Sequence, residues 1–188
     1  MEKKTMEVQK ASLTGLDLRM AVSVLLCVLS ATILNHLGLK FPVGEMRLEI
    51  IQKMTAAICC MLCCQESVFV SRRAGSNRLI ITAVGGLVGI AVILLDEMIG
   101  NEWVLCAMIG LGIAATLYFC KLCKVPYINA RIGGVTFILV TCTLSGNARI
   151  YYAVFRFVST FYGVLVVMLV TWIFQKCGWM GEKTGTTG

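Results

Sequence analysis

RLIITAVG, Arg78 to Gly85, and RFVSTFYG, Arg156 to Gly163, share the pattern R-x-x-x-T-x-x-G. On a helix the offsets i, i+4 and i+7 fall on one face, so each copy lays a cation, a hydroxyl and bare backbone along one stripe. Each copy also stands near the start of an apolar block, about Leu79 to Leu95 for the first and about Tyr151 to Phe174 for the second. Four more blocks can be drawn, about Leu18 to Leu37, Met54 to Ser71, Trp103 to Phe119 and Tyr127 to Leu144. Roughly twenty apolar residues cross a hydrocarbon core of about 30 Å at about 1.5 Å per residue. The expectation is an all-α integral membrane protein of about six transmembrane helices. If these divide into two three-helix halves, the odd number of crossings turns the second half upside down, which is the inverted-repeat plan of many secondary transporters. Arg78 and Arg156 then enter the membrane from opposite sides.

Composition agrees with that class. Of the 188 residues 58% are hydrophobic and 14% charged, with mean hydropathy +0.84, whereas a soluble domain carries roughly 25% charged residues. The expected organisation is a cytoplasmic N-terminal segment over 1–16, one membrane domain over 17–176 and a short polar tail over 177–188. This leaves no room for a separate soluble catalytic or nucleic-acid-binding domain. The start, MEKKTMEVQKASLTGLDLR, is polar for too long to read as a cleavable signal peptide.

Lysine and arginine set the orientation, because cytoplasmic loops carry their excess. With the N-terminus inside, Lys3, Lys4, Lys10, Arg19, Arg72, Arg73, Arg78, Lys121, Lys124, Lys176 and Lys183 fall on the inner side. Lys40, Arg47, Lys53 and Arg149 fall outside, together with Glu45, Glu49, Asp96, Glu97 and Glu102. Both termini are therefore expected in the cytoplasm. The net charge of +7 follows from this topology and attracts anionic lipid headgroups. No aromatic-interleaved basic patch points to nucleic acid.

The stretch ICCMLCCQESVFVSRRAG, Ile58 to Gly75, packs Cys59, Cys60, Cys63 and Cys64 together. Cys60-x-x-Cys63 and Cys120-x-x-Cys123 would suggest zinc in a soluble chain. In an apolar span, cysteine reads instead as a small buried apolar residue, and no metal or cofactor is expected. A cysteine-nucleophile enzyme needs a base, and the one histidine, His36, stands at the far end of another block. No enzyme activity is expected, and a membrane thiol or metal enzyme is the weakest alternative.

The run Gln65, Ser71, Gly75, Arg78, Thr82, Gly85, spaced Q-x5-S-x3-G-x2-R-x3-T-x2-G, resembles the signature of the aromatic acid exporter / fusaric acid resistance-like family. RFVSTFYGVLVVMLVTWIF, from Arg156 to Phe174, is similar to that family's second R-x-x-x-T-x-x-G helix. The resemblance spans about Leu16 to Phe174. It departs from the common family pattern at Glu66, where proline is usual, and at Ile81, where glycine is usual. Long members add a second membrane half and a soluble domain, so this sequence resembles a short, single-module member. The resemblance implies a bacterial inner-membrane protein and the efflux of aromatic carboxylates.

Intramembrane charges cost about 2.5 to 3.5 kcal/mol on insertion scales and are commonly paired or functional. The candidates are Glu66, Arg131 and Arg156. An arginine can hold a carboxylate bidentately and stack on a ring. The expected anion site therefore comprises Arg156, Thr160, Arg78, Thr82, Arg131 and Gln65, with Glu66 as proton-coupling carboxylate. Gly85, Gly89 and Gly163 are expected as helix-packing positions, Gly85-x-x-x-Gly89 matching the small-x-x-x-small contact. No Walker loop is present, so transport would run on ion or substrate gradients. The partners expected are the lipid bilayer, a small organic anion and further copies of the chain. A non-transporting scaffold or accessory subunit is the alternative.

Overall fold

A computed structural model describes residues 15–38, 40–43, 46–143 and 148–176. The expected N-terminal segment up to residue 14 and the tail from 177 lie outside the described residues. Those described form helix α1 (Gly15–His36), strands β1 (Lys40–Val43) and β2 (Met46–Glu49), and helices α2 (Lys53–Cys63), α3 (Val68–Ile99), α4 (Glu102–Leu122), α5 (Tyr127–Cys142) and α6 (Ala148–Lys176). Helices α1, α3, α4 and α6 are long and apolar enough to cross a membrane. The chain is thus an all-α, multi-pass membrane protein. Helices α2 and α5, with 11 and 16 residues, reach only about 16 and 24 Å at about 1.5 Å per residue.

The expected span from Met54 to Ser71 is corrected by the structure. It stops after Cys63, and α3 starts afresh at Val68. Hydropathy runs through this point, but polar contacts break the helix. The Gln65 N–H donates to Ser71 Oγ at 3.0 Å, while Ser71 Oγ and the buried Arg19 guanidinium both donate to the Gln65 carbonyl. Ser67 then caps α3 by accepting from the Val70 N–H, satisfying one of the donors a helix start leaves open. Arg72, Arg73 and Gly75, which fall between the apolar blocks ending at Ser71 and starting at Leu79, lie in the first turns of α3.

The antiparallel hairpin β1-β2 pairs Phe41 with Leu48 and Pro42 with Arg47. The alternation Phe41, Val43, Met46, Leu48 around Gly44-Glu45 is a hairpin signal that the helical reading passed over. Phe41 packs on α6, its ring centroid 5.6 Å from Tyr151 and 5.9 Å from Phe155.

The two halves pack reciprocally. The long helices α3 and α6 run antiparallel against each other: Gly75 near the start of α3 meets Val164, and Asp96 near its end bonds Arg149 at the start of α6 at 2.9 Å. Helix α3 also packs on α5, α6 on α2, α1 on α2 and α4 on α5. Exchanging α1–α3 with α4–α6 leaves this scheme unchanged, which is the relation an inverted repeat requires. Glycines bring the pairs together. A Cβ on Gly85 would stand 2.6 Å from the Gly133 carbonyl oxygen of α5, and one on Gly163 2.7 Å from the Ala56 carbonyl oxygen of α2.

Candidate functional site

The antiparallel packing brings the second R-x-x-x-T-x-x-G stripe and Arg78 of the first to the junction of α2, α3 and α6, while Gly85 of the first stripe faces α5. Helix α2 enters it part-way down. Its leading Gln52 N–H donates to Ser159 Oγ at 2.7 Å, eleven positions past the start of α6 at Ala148, or about 16 Å along that helix at about 1.5 Å per residue. Helix α2 is therefore a half-helix that begins within the depth of the bundle, and no side chain caps its N-terminus. The uncapped N–H groups and the helix dipole make that end electropositive.

Arg156 sits beside it. Its Nη1 donates to Thr55 Oγ1 at 3.4 Å and to the Tyr152 hydroxyl at 3.5 Å, both long for such bonds. Thr55 in turn donates to Gln52 Oε1 at 3.0 Å. A cation against a helix N-terminus meets a field of its own sign, so this corner favours an anion.

Arg78 approaches the same helix one turn further on. It is 9% exposed, and its Nε and Nη1 have no hydrogen-bond partner among the described residues. The guanidinium is in contact with Cys59 and within electrostatic range of Cys63 and Arg156. The Cys59 thiol donates to the Thr160 carbonyl at 3.3 Å, and its sulfur lies 3.8 Å from that of Cys63. Thr82 is buried on the stripe of Arg78; Thr160 is buried on that of Arg156, with its hydroxyl donating to the Arg156 carbonyl at 2.9 Å. Buried donors without partners are costly, and more so when charged.

Other expected site residues are not brought here. Gln65 lies in the linker between α2 and α3, its side chain donating to the Leu62 carbonyl at 3.2 Å. Glu66 is exposed in that linker. Arg131 is exposed in the first turns of α5, its guanidinium carbon 4.8 Å from the centroid of the Tyr127 ring. Gly89 lies against Val140 of α5, where an added Cβ would stand 2.9 Å from a Val140 methyl. Sequence reasoning did not select Thr55, Ser159 or Cys59 as site residues. Tyr152 is near Arg156 in the sequence itself, four positions before it on the same helix; nothing in the sequence pattern marks Thr55.

The two C-x-x-C motifs belong to separate clusters, Cys60 and Cys63 in one and Cys120 in the other. Among the described residues no three His, Cys, Asp or Glu side chains converge on a metal position. His36, exposed at the end of α1, has Nδ1 3.2 Å from the Thr32 carbonyl oxygen of its own helix.

Five of the six signature residues have identifiable surroundings within the fold. Gln65 and Ser71 build the break, Gly75 and Gly85 admit neighbouring helices, and Thr82 is buried. Arg78 differs from them in holding buried charge with donors to spare. Comparison with curated proteins and with solved structures finds no match. The profile of the fusaric acid resistance protein-like family matches residues 26–170, which takes in both arginine stripes, the broken helix and most of α6, and the chain belongs to that family.

Proposed function

We propose that the protein is a secondary transporter that exports small aromatic carboxylates or related organic anions across a bacterial inner membrane. The observation that carries this reading is the Arg78 guanidinium, buried with Nε and Nη1 unpartnered at a junction it shares with Arg156. An anion there would accept charge-assisted hydrogen bonds from these spare donors. Thr82 and Thr160 flank the two cations, whereas Gln65, Glu66 and Arg131 stand outside this site. The half-helix supports the reading physically, because discontinuous helices offer their N-termini to anionic groups in other secondary transporters. The distribution of basic residues supports an orientation with both termini, and the linker between α2 and α3, on the cytoplasmic side. Association into a homo-oligomer would shield the broadly exposed apolar faces of α1 and α4.

The test is uptake of labelled aromatic carboxylates into inside-out vesicles, with and without a proton gradient, for the intact protein and for Arg78→Gln and Arg156→Gln. Export becomes inward accumulation in such vesicles, and the expected result is flux that both substitutions abolish. Absence of flux from folded, correctly oriented protein overturns the assignment in favour of a scaffold. Flux that survives both substitutions places the anion elsewhere.

A further inference from the structure

Three features of the junction bear on what kind of anion it takes. The first is the count of cations: Arg78 of one stripe and Arg156 of the other both approach α2, so two basic groups reach one site. The second is their spacing. Arg156 contacts Thr55 and Arg78 contacts Cys59; these positions are one turn apart on α2, about 6 Å at about 1.5 Å per residue. The third is the absence of countercharge. The described acids are Asp17, Glu49, Glu66, Asp96, Glu97 and Glu102. Asp17 and Glu102 lie in the first turns of α1 and α4, Glu66 in the linker, and Glu97 beside the end of α3. Glu49 bonds Lys53 and Asp96 bonds Arg149. None reaches the junction.

A monoanion bound at Arg78 leaves Arg156 facing an electropositive helix end, donating, among the described residues, two long hydrogen bonds to neutral oxygens. A ligand with a second acidic group neutralises both cations at once. We infer that the site is built for a small dianion, its two acidic groups held about 6 Å apart, one by Arg78 and the other by Arg156 at the N-terminus of α2. This inference rests on the reading of Arg78 as the anion site. It adds that the ligand class is dicarboxylate-like and that selectivity against monoacids comes from Arg156.

Benzoate and benzene-1,4-dicarboxylate are matched probes, the same ring with one acid group or with one at each end. Binding to the purified full chain is measured by titration calorimetry at a pH where every acid group is ionised. The diacid is expected to bind at least about tenfold more tightly than the monoacid. Arg156→Gln is expected to bring the two affinities together, chiefly by weakening the diacid. Equal affinity of the intact protein for both probes, with binding still dependent on Arg78, overturns the dianion inference and leaves the anion-site reading standing. Failure of the intact protein to bind either probe overturns both. The comparison of probes on the intact protein needs no variant, so it stands whether or not a substituted chain folds.

Discussion

Replacing Gly85 or Gly163 by alanine tests the helix crossings that assemble the site. The added Cβ would stand 2.6 Å from the Gly133 carbonyl oxygen in the first case and 2.7 Å from the Ala56 carbonyl oxygen in the second. Both obstacles are backbone, so no side chain can swing aside. To reach even the tight limit of 3.0 to 3.4 Å for such contacts the helices must part by several tenths of an ångström. A gap of about 0.5 to 1 Å forfeits about a quarter to a half of the dispersion attraction along the seam, and overpacking of this kind costs about 1 to 3 kcal/mol. Gly86 is the control one residue away: a Cβ there meets nothing within 4 Å, so Gly86→Ala is expected to be neutral or to stabilise by up to about 1 kcal/mol through helix propensity. The assay is reversible unfolding in mixed detergent micelles, read by circular dichroism. Gly85→Ala and Gly163→Ala should each unfold at lower denaturant fraction than the intact protein, with Gly86→Ala at or above it. If either crossing variant matches Gly86→Ala, the close approach described for its helix pair is refuted.

The Asp96–Arg149 pair, with side chains 17% and 16% exposed and 2.9 Å apart, should give a coupling of about 1 to 3 kcal/mol in a double-mutant cycle of Asp96→Asn and Arg149→Gln; coupling near zero would show that it does not hold α3 to α6. Ser71→Ala leaves the Gln65 N–H without its acceptor and is expected to cost about 1 to 3 kcal/mol in the same unfolding assay; an unchanged midpoint would mean that the break is held by other contacts. With Cys177 replaced by serine, a membrane-permeant maleimide should label the exposed Cys106, Cys123 and Cys142 in micelles, leaving Cys27, Cys59, Cys60, Cys63, Cys64 and Cys120 unlabelled until denaturation. Rapid labelling of Cys59 or Cys60, read by mass spectrometry, would contradict the packing of α2 on α6.

The residue pattern disclosed the class of fold and the arginine stripes because both are local regularities: apolar blocks of membrane length, and i, i+4, i+7 spacing. The break after Cys63 was not legible, since its causes are distant in sequence. Cys64 is apolar, Gln65 and Glu66 are too few to end a hydropathy block, and the groups that hold the linker come from Ser71 and Arg19. Glu66 and Arg131 looked intramembrane for the same reason. Each lies at an element's edge, where a boundary shift of a few residues moves a charge from the membrane interior to its surface. Arg78 and Arg156 were singled out by pattern; that they share a junction follows only from the antiparallel packing of α3 and α6. Thr55, which meets Arg156 across 101 positions of sequence, has no local signature.

The brevity of α2 constrains the order in which the protein can be made. Eleven residues span about half of a hydrocarbon core of about 30 Å, so α2 lacks the length to insert alone and must be carried in by α1 and α3. Its final seat is against Gly163 and Ser159, on α6, which leaves the ribosome after α1 to α5. Until α6 arrives, the start of α2 has no wall and Arg78 has lipid where its neighbours should be. Assembly of the junction therefore waits for α6: the two arginines meet only when that span is in place, and a nascent chain stalled before it would hold α1 to α5 with the junction unformed.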